Sequence, residues 1–563
     1  MMRSPYFPAR SVLFRKEENG VTYRVPALLY LPSSSSFLVF CEERLSPSDS
    51  QAHLLVMRKG TFYKNYVEWE GMRVLGSARL EGHRSMNPCP VYDEFTGTLF
   101  LFFIAVLGHT SEAHQLITGK NLTRLCCVSS SDHGDTWSPT IDLTVRVIGD
   151  TITDWATFAL GPGHGIQLKS GRLLVPAYAY LITCRECFGQ VCQTTPRAFC
   201  FYSDTHGRTW RFGEAVPGPE SVECQVVSVD EEDGSNVLYC NSRSPLGFRV
   251  QALSRDDGAT FQDGQLVRRL VEPRNGCHGS VVGFPAPLHL HPCPTRSRYW
   301  TSCRNGGAPE PCTAPPSPDP SPDPSPDPDP SPQPDQAPRP SPGPAPSPPQ
   351  NFLTPTWVVY SHPTWPNARR DLGVYLSPFP RDPDSWSGPW VIYEGPSAYS
   401  DLAWLLLPSS GGPSSSGGPS SSGDPVPSSS GGPSSSGGPS SSGGPSPSGG
   451  PSPSGGPSPS GGPSPSGGPS PSGDPPAVAF ACLFECGSYT AYDEISFSIF
   501  TLYELIDNLP RNTPWDHTHT RPGHHTHTRP GHHTHTPPHT RPALGTLRPA
   551  SGRRKLSDLC SVS

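Results

Sequence analysis

Short apolar runs separated by turn residues dominate the chain from residue 11 to about residue 285. Valine, leucine, phenylalanine and tyrosine fill these runs, for example at 27–30, 37–40, 99–106 and 173–177. No long stretch shows the 3.6-residue period of an amphipathic helix. Many short strands at regular spacing predict an all-β protein, namely a sandwich, a barrel or a propeller.

Two low-complexity tracts interrupt this pattern, a proline-rich one at 309–349 and a Ser/Gly/Pro-rich one at 408–476. Such compositions bury too little apolar surface to offset the entropy of ordering them, so we predict disordered segments. Strand-like runs resume between and after the tracts, at 357–360, 388–393, 478–484 and 495–503. We therefore expect both tracts to be loop insertions into one domain, residues 1–510, because loop-closure entropy grows slowly with length.

The last stretch, 511–563, is expected to be a disordered tail. Its residues 517–539 repeat His-Thr-Arg-Pro-Gly-His. A histidine-rich tract can bind metals weakly, but a simple repeat without function is the preferred interpretation. The globular part shows no metal-ligand spacing, since Cys126-Cys127 and the Cys-x-x-Cys at 184–187 lack a second pair of ligands. No metal and no cofactor are expected.

A short motif, Ser-x-Asp-x-Gly-x-Thr-aromatic, occurs at 130–137 and at 254–261. A third copy, at 203–210, is imperfect and has Thr205 where aspartate is expected. The pattern is typical of a hairpin turn in which the aspartate caps backbone N–H groups, the glycine takes a positive φ and the aromatic packs beneath. The spacing of the copies suits four-stranded blades with variable loops, which favours the propeller.

The formal net charge of −7 gives no general attraction to nucleic acid or to anionic lipid. Residues 1–16 are charged and lack the apolar region of a signal peptide. No stretch of about 18 apolar residues could span a bilayer. We therefore expect an intracellular protein whose 17 cysteines are mostly reduced and buried.

The repeated turns, together with Tyr-Arg-Val-Pro at 23–26, resemble the sialidase family. Segments at 83–90, 161–165, 222–225 and 398–402 are similar to the animal intracellular sialidases. The resemblance covers nearly everything outside the low-complexity tracts and the tail. It implies a six-bladed β-propeller with Asp-box hairpins. It also implies an exo-α-sialidase that removes terminal sialic acid from oligosaccharides, glycoproteins and gangliosides.

Sialic acid carries a carboxylate on its anomeric carbon, and arginine offers a fixed bidentate fork to such a group. The resemblance assigns Arg24, Arg243 and Arg369 to the family's arginine triad. Arg370 is a competing match for the third position. Glu485, in Cys-Leu-Phe-Glu, matches the acid that orients the first arginine.

The carboxylate of sialic acid also affects the choice of nucleophile, because a carboxylate nucleophile would be repelled by an anionic centre. Most glycosidases use two carboxylates, and sialidases with a tyrosine nucleophile are an exception. Tyr399 matches the family's nucleophile, and Glu223 matches the base that takes its proton. Asp49, in a loop-like stretch, matches the acid that protonates the leaving oxygen and later activates water, with retention of configuration.

Further matches would line the pocket. Arg44 matches a residue that faces the acid group of the sugar. Glu112, Tyr178 and Tyr180 match positions around the N-acetyl and glycerol arms. Asn87 is expected to neighbour the site.

Two other functions stay open. A catalytically inactive, lectin-like propeller could bind sialic acid with the arginines alone, but Asp49, Tyr399 and Glu223 are all present, which favours the enzyme. An interaction scaffold could offer Pro-x-x-Pro segments to aromatic grooves, although the repetitive tracts carry little information. The resemblance implies peripheral contact with internal membranes (lysosome, mitochondrion or endoplasmic reticulum) or a cytoplasmic location. The sequence shows no lipid anchor and no basic amphipathic helix.

Overall fold

The computed structural model describes residues 6–63, 66–187, 191–287, 354–407 and 477–510. The predicted insertions at 309–349 and 408–476 and the predicted tail at 511–563 lie outside the described residues. Apart from Ala477, the described residues belong to one compact unit.

Strands make up most of the described chain, as the apolar runs predicted. They are β1 (Arg10–Arg15), β2 (Thr22–Leu31), β3 (Ser36–Arg44), β4 (Ala52–Tyr63), β5 (Tyr66–Trp69), β6 (Arg73–Val74), β7 (His83–Asp93), β8 (Thr98–Leu107), β9 (Thr123–Ser130), β10 (Ile141–Asp142), β11 (Trp155–Leu160), β12 (Ile166–Gln167), β13 (Leu173–Cys187), β14 (Val191–Ser203), β15 (Arg211–Phe212), β16 (Cys224–Asp230), β17 (Asn236–Ser242), β18 (Phe248–Ser254), β19 (Gln265–Val271), β20 (Ser280–Pro285), β21 (Thr356–Pro363), β22 (Arg370–Ser377), β23 (Trp390–Leu407), β24 (Ala477–Cys486) and β25 (Glu494–Thr501). Short helices lie in the connections, and they are α1 (Glu112–Thr118), α2 (Thr144–Val147) and α3 (Leu502–Asn508).

Within the described residues the strands form antiparallel sheets that follow one another along the chain. Four of them have the orders β2-β3-β4-β5, β10-β9-β8-β7, β11-β13-β14-β15 and β16-β17-β18-β19. The fifth has the order β1-β25-β24-β23-β22-β21-β20. It brings the first described strand beside the last, with Arg10 opposite Ser498. The result is an all-β, propeller-like arrangement, in agreement with the fold class predicted from the sequence.

The core lies between neighbouring sheets. One cluster joins Phe40 of β3 to Phe103 of β8, and both side chains are fully buried. Another surrounds Trp386, whose ring packs against Tyr239 and Tyr360. Full burial of one such large apolar side chain contributes about 1.5–3 kcal/mol, so the seams between the sheets supply much of the stability.

The repeated turns have the hydrogen bonds that their sequence predicted. The carboxylate of Asp132 accepts from the Thr136 backbone N–H at 2.9 Å, and Gly134 has φ +85°. In the imperfect copy the Thr205 hydroxyl replaces the carboxylate, accepting from the Thr209 N–H at 2.8 Å. A hydroxyl oxygen can cap the same backbone group, which explains why the third turn keeps its shape without aspartate.

The run at 495–503 was predicted to be one strand, and this is wrong for its last residues. The Thr501 side chain accepts from the Glu504 backbone N–H, and the Glu504 carboxylate accepts from the Thr501 N–H at 2.6 Å. This reciprocal capping box starts helix α3 at Leu502. The strand predicted from residue 388 begins only at Trp390.

Free, buried cysteines are numerous, in line with the expectation of mostly reduced thiols. They are Cys41, Cys89, Cys126, Cys127, Cys192, Cys200, Cys224, Cys240, Cys277, Cys482 and Cys486. Cys184 departs from that expectation because it is disulfide-bonded. In the described ranges no helix has the length and apolar character needed to cross a bilayer.

Candidate active site

One cavity collects most of the residues singled out from the sequence. It is lined by Arg24, Arg44, Asp49, Glu112, Tyr178, Tyr180, Glu223, Arg243 and Tyr399, and also by Asn87. Arg369 and Glu485 do not line it but contact residues that do. The side chains come from strands and loops of several sheets, so the sheet arrangement brings together residues that are far apart in the chain.

Glu485 on β24 holds the first arginine. Its carboxylate accepts from Arg24 Nε at 2.8 Å, from the Val25 backbone N–H at 2.8 Å and from the Tyr399 backbone N–H at 3.1 Å. Val25 has φ +59°, which is rare for a β-branched residue, and the pairing of β2 with β3 is irregular there. The Glu485 contact to this N–H stabilises the irregularity, which turns Arg24 into the cavity. Glu485 therefore fixes the position of the Arg24 guanidinium, and the role of this arginine toward a substrate stays a prediction.

The second arginine joins the two residues predicted to react. Arg243 Nη1 donates to Glu223 Oε2 at 2.8 Å and to the Tyr399 hydroxyl oxygen at 3.1 Å. The Tyr399 hydroxyl itself donates to Glu223 Oε1. All three residues are at most 5% exposed. The structure thus contains a hydrogen bond between a buried phenol and a carboxylate, the contact that the predicted chemistry requires.

The protonation of this group follows from burial and charge. Burial and the negative charge of Glu223 raise the pKa of Tyr399 well above its usual value. Burial alone would raise the pKa of Glu223, but Arg243 and His278 outweigh it and lower that pKa. The glutamate is therefore ionised while the phenol keeps its proton, which is the starting state for proton transfer from Tyr399 to Glu223.

Arg369 and Arg370, the two candidates for the third arginine, have different surroundings. The Arg369 guanidinium lies 5.3 Å from the centroid of the Tyr399 ring, and its Nη1 donates to the Tyr492 hydroxyl at 3.1 Å. Arg370 is exposed and faces the Trp365 ring. Of these two arginines, Arg369 is the one that reaches Tyr399, which favours it as the third member of the predicted triad.

Arg44 binds the predicted acid. Its guanidinium forms an ion pair with the Asp49 carboxylate, and Arg44 Nε donates to Glu42 Oε2 at 2.7 Å. The Asp49 side chain is 33% exposed, whereas that of Arg44 is 2% exposed. Asp49 begins a 3-10 turn, Asp49–Gln51, in the loop after β3. The acid therefore sits at the open edge of the cavity, where a leaving group can reach it.

Glu112, Tyr178 and Tyr180 form another part of the lining. Glu112 is the first residue of α1, and the two tyrosine rings on β13 meet edge to face with centroids 6.1 Å apart. Burial, together with the charges of Asp49 and Glu223, raises the pKa of Glu112 to about 8. This region offers a neutral carboxyl and two hydroxyls at neutral pH, which suits neutral polar arms of a sugar.

Several neighbours of the site were not predicted. Tyr492 lies beneath Arg24, with the guanidinium 3.8 Å from its ring centroid, and its hydroxyl accepts from Arg369. The ring of His278 packs 5.4 Å from that of Tyr399, and burial lowers the pKa of this histidine to about 4. Nothing in the spacing of residues along the chain identifies such contacts.

No cluster of three or more potential metal ligands occurs among the described side chains.

A sequence profile of the BNR repeat-like domain matches residues 36–288. Sialidase-4 of Homo sapiens is 44% identical over 536 residues, covering 90% of this chain and 96% of that protein. Sialidase-3 of Mus musculus is 42% identical over 407 residues, covering 72% of this chain and 89% of that protein.

Solved structures agree at the level of the fold. A Hadza microbial sialidase superposes with a TM-score of 0.52 at 18% identity, covering 87% of this chain and 67% of that chain. A leech intramolecular trans-sialidase gives a TM-score of 0.50 at 13% identity, covering 89% of this chain and 71% of that chain. The identity to sialidase-4 extends over nearly the full length of both proteins. The chain therefore belongs to the animal sialidase family, the exo-α-sialidases among the glycoside hydrolases.

Proposed function

We propose that the chain hydrolyses terminal α-linked sialic acids with retention of configuration, using Tyr399 as nucleophile, Glu223 as its base and Asp49 as acid and base. The observation that carries this proposal is the hydrogen bond from the Tyr399 hydroxyl to Glu223, inside a cavity lined by arginines. The proposed substrates are sialylated oligosaccharides, glycoproteins and gangliosides.

Binding would begin with the carboxylate of the sugar. Arg24, Arg243 and Arg369 all approach Tyr399, the first with its guanidinium 5.7 Å from the ring centroid. These guanidinium groups concentrate positive charge at one point of a protein whose formal net charge is −7. Bidentate contacts to guanidinium would orient the anomeric carbon toward the tyrosine oxygen.

The first chemical step forms a bond between the Tyr399 oxygen and the anomeric carbon. The phenolic proton passes to Glu223, and Asp49 gives its proton to the glycosidic oxygen as the bond to the aglycone breaks. In the second step water attacks the same carbon, Asp49 accepts a proton from that water, and the tyrosine leaves with the proton held by Glu223. Two inversions at one carbon retain its configuration.

The propeller itself completes the proposal. We propose that the fold has six blades and that the repeated turns are Asp boxes. The seven-stranded sheet would supply two blades, since β23 spans 18 residues and its first half pairs with β22. The capping bonds of Asp132 and Asp256 to the threonine N–H four residues later support the second point.

The proposed location is intracellular, at internal membranes or in the cytoplasm. Fractionation of cells that express the chain tests it, because recovery in the medium would contradict the proposal. Release of sialic acid from purified gangliosides in detergent would test the carrier class separately.

The decisive experiment compares release of a fluorogenic aglycone by the wild type, Tyr399→Phe and Asp49→Ala. Tyr399→Phe should abolish turnover, and Asp49→Ala should lower it by about 10²–10⁴-fold, the usual contribution of general acid–base catalysis. Tyr239→Phe is a matched control, because that hydroxyl is buried and hydrogen-bonded to Asn241 outside the cavity lining. NMR of the first-formed sialic acid should show the α anomer.

A wild type that binds sialic acid but releases no aglycone would favour the lectin-like alternative. First appearance of the β anomer would refute the retaining mechanism. Full activity of Tyr399→Phe would remove the proposed nucleophile.

A further inference from the structure

Arg84 lies in the cavity wall and has no part in the chemistry described above. It stands on β7, is 6% exposed and lines the same cavity as Asp49. All the hydrogen bonds of its guanidinium to described residues go to main-chain carbonyl oxygens. A buried arginine with this set of acceptors is suited to holding backbone in place.

Two loops meet at this guanidinium. Arg84 Nε donates to the Asp49 carbonyl oxygen at 3.2 Å. On its other side, Nη1 donates to the Gly108 carbonyl at 2.8 Å and Nη2 to the Thr110 carbonyl at 2.6 Å. Arg84 therefore joins the loop after β3, which carries the acid, to the loop after β8.

The acid-bearing segment has further contacts of the same kind. His109 Nδ1 lies 2.9 Å from the Ser50 carbonyl oxygen, and Arg44 Nη1 donates to the Pro47 carbonyl at 3.1 Å. The Asp49 side chain, by contrast, is 33% exposed. The placement of its carboxyl group therefore depends both on the ion pair with Arg44 and on the main chain from which it projects.

We propose that Arg84 is a positioning residue for the general acid, one that sets where Asp49 stands relative to the leaving group. The inference rests on the proposed role of Asp49. A planar guanidinium fork can serve three acceptors at once, whereas a lysine ammonium cannot match that geometry. A displacement of about 1 Å at a reacting group can cost about 10²-fold in rate.

The dependence on the leaving group separates this role from a purely structural one. The leaving group of an alkyl sialoside is a strongly basic alkoxide, which needs protonation. The leaving group of a 4-nitrophenyl sialoside is 4-nitrophenolate, which departs readily without a proton. Arg84→Met should lower kcat/KM for methyl sialoside by about 10²-fold, the lower range for general acid catalysis. It should leave kcat/KM for the nitrophenyl substrate nearly unchanged. Arg84→Lys should show the same selectivity with a smaller loss.

Two reference variants interpret the result. Asp49→Ala must itself show the leaving-group selectivity, and its absence there would refute the proposed acid and, with it, the role of Arg84. Arg172→Met removes another guanidinium that holds loop carbonyls, those of Asp256 and Asp257, outside the cavity lining. This control should leave both substrates unaffected.

Equal losses on both substrates in Arg84→Met, or no loss on either, would overturn the positioning role while Asp49→Ala remains selective. Failure of both Arg84 variants to fold, with Arg172→Met folded, would also overturn it, because the residue would then serve stability. Selective loss on the alkyl substrate in a folded variant would support it.

Discussion

Replacing Glu485 by glutamine tests the link between the fold and the recognition of the substrate. This carboxylate is fully buried and receives three N–H donors, from Arg24, Val25 and Tyr399, at 2.8, 2.8 and 3.1 Å. Glutamine keeps the volume but replaces one acceptor oxygen by an amide group that donates. At least one N–H donor must then face another donor.

The magnitude follows from these contacts. Breaking a buried ion pair by removing one charge costs about 3–5 kcal/mol, because the remaining charge is left without compensation. We therefore expect Glu485→Gln to lower the free energy of unfolding, measured by urea denaturation, by about 3–5 kcal/mol. If about 1.4–2.8 kcal/mol of the loss falls on the placement of Arg24, kcat/KM should drop by about 10 to 100-fold.

The assay compares two substrates, a sialic acid glycoside and its methyl ester, in which the carboxylate is neutralised. Wild type should strongly prefer the acid, and Glu485→Gln should narrow this preference because Arg24 is no longer aligned. Glu494→Gln is the matched control, since Glu494 pairs with Arg10, whose side chain is 38% exposed. An exposed pair of this kind contributes at most about 1 kcal/mol, and the preference for the acid should persist.

If Glu485→Gln unfolded at the same urea concentration as the wild type, the stabilising ion pair between Glu485 and Arg24 would be contradicted. A variant that loses stability but keeps the full preference for the acid would show that Glu485 supports the fold without orienting the arginine.

Three other changes test separate parts of the structure. Arg369→Lys should lower kcat/KM for a fluorogenic sialoside by about tenfold or more, whereas Arg370→Ala should not, and equal effects would contradict the choice of Arg369. Because the pKa of Glu112 is raised from 4.5 to about 8, the folded state holds this proton more tightly than the unfolded chain. Stability should therefore fall as pH rises through that range. In Glu112→Gln this loss of stability with rising pH should be smaller. If the urea midpoints of the wild type and the variant changed in parallel between about pH 5 and about pH 8, the raised pKa of Glu112 would be contradicted. Deleting 410–474 should leave activity nearly intact, and a large loss would show that the tract is part of the fold.

The similarity of motifs along the chain was enough to predict most of the candidate site. Arg24, Glu223 and Tyr399 stand in short segments that are specific to the family, and the structure brings them to one cavity. The repeated turns were predictable for a local reason, since their serine, aspartate and glycine satisfy backbone groups within the same eight residues. The capping box that starts α3 is also local, but the run of apolar residues concealed it.

The amino-acid sequence alone was enough to predict the all-β class and the turns and to select the candidate reacting residues, because these depend on local patterns or on motifs. Tertiary structure alone distinguished Arg369 from Arg370, placed Tyr492 between two arginines, and brought Arg84 to the carbonyl of Asp49. Adjacent arginines have nearly the same local sequence pattern, so the pattern does not separate them. Every residue has a carbonyl oxygen, so the sequence does not show which one an arginine binds. Such contacts depend on which strands the closed set of sheets places side by side.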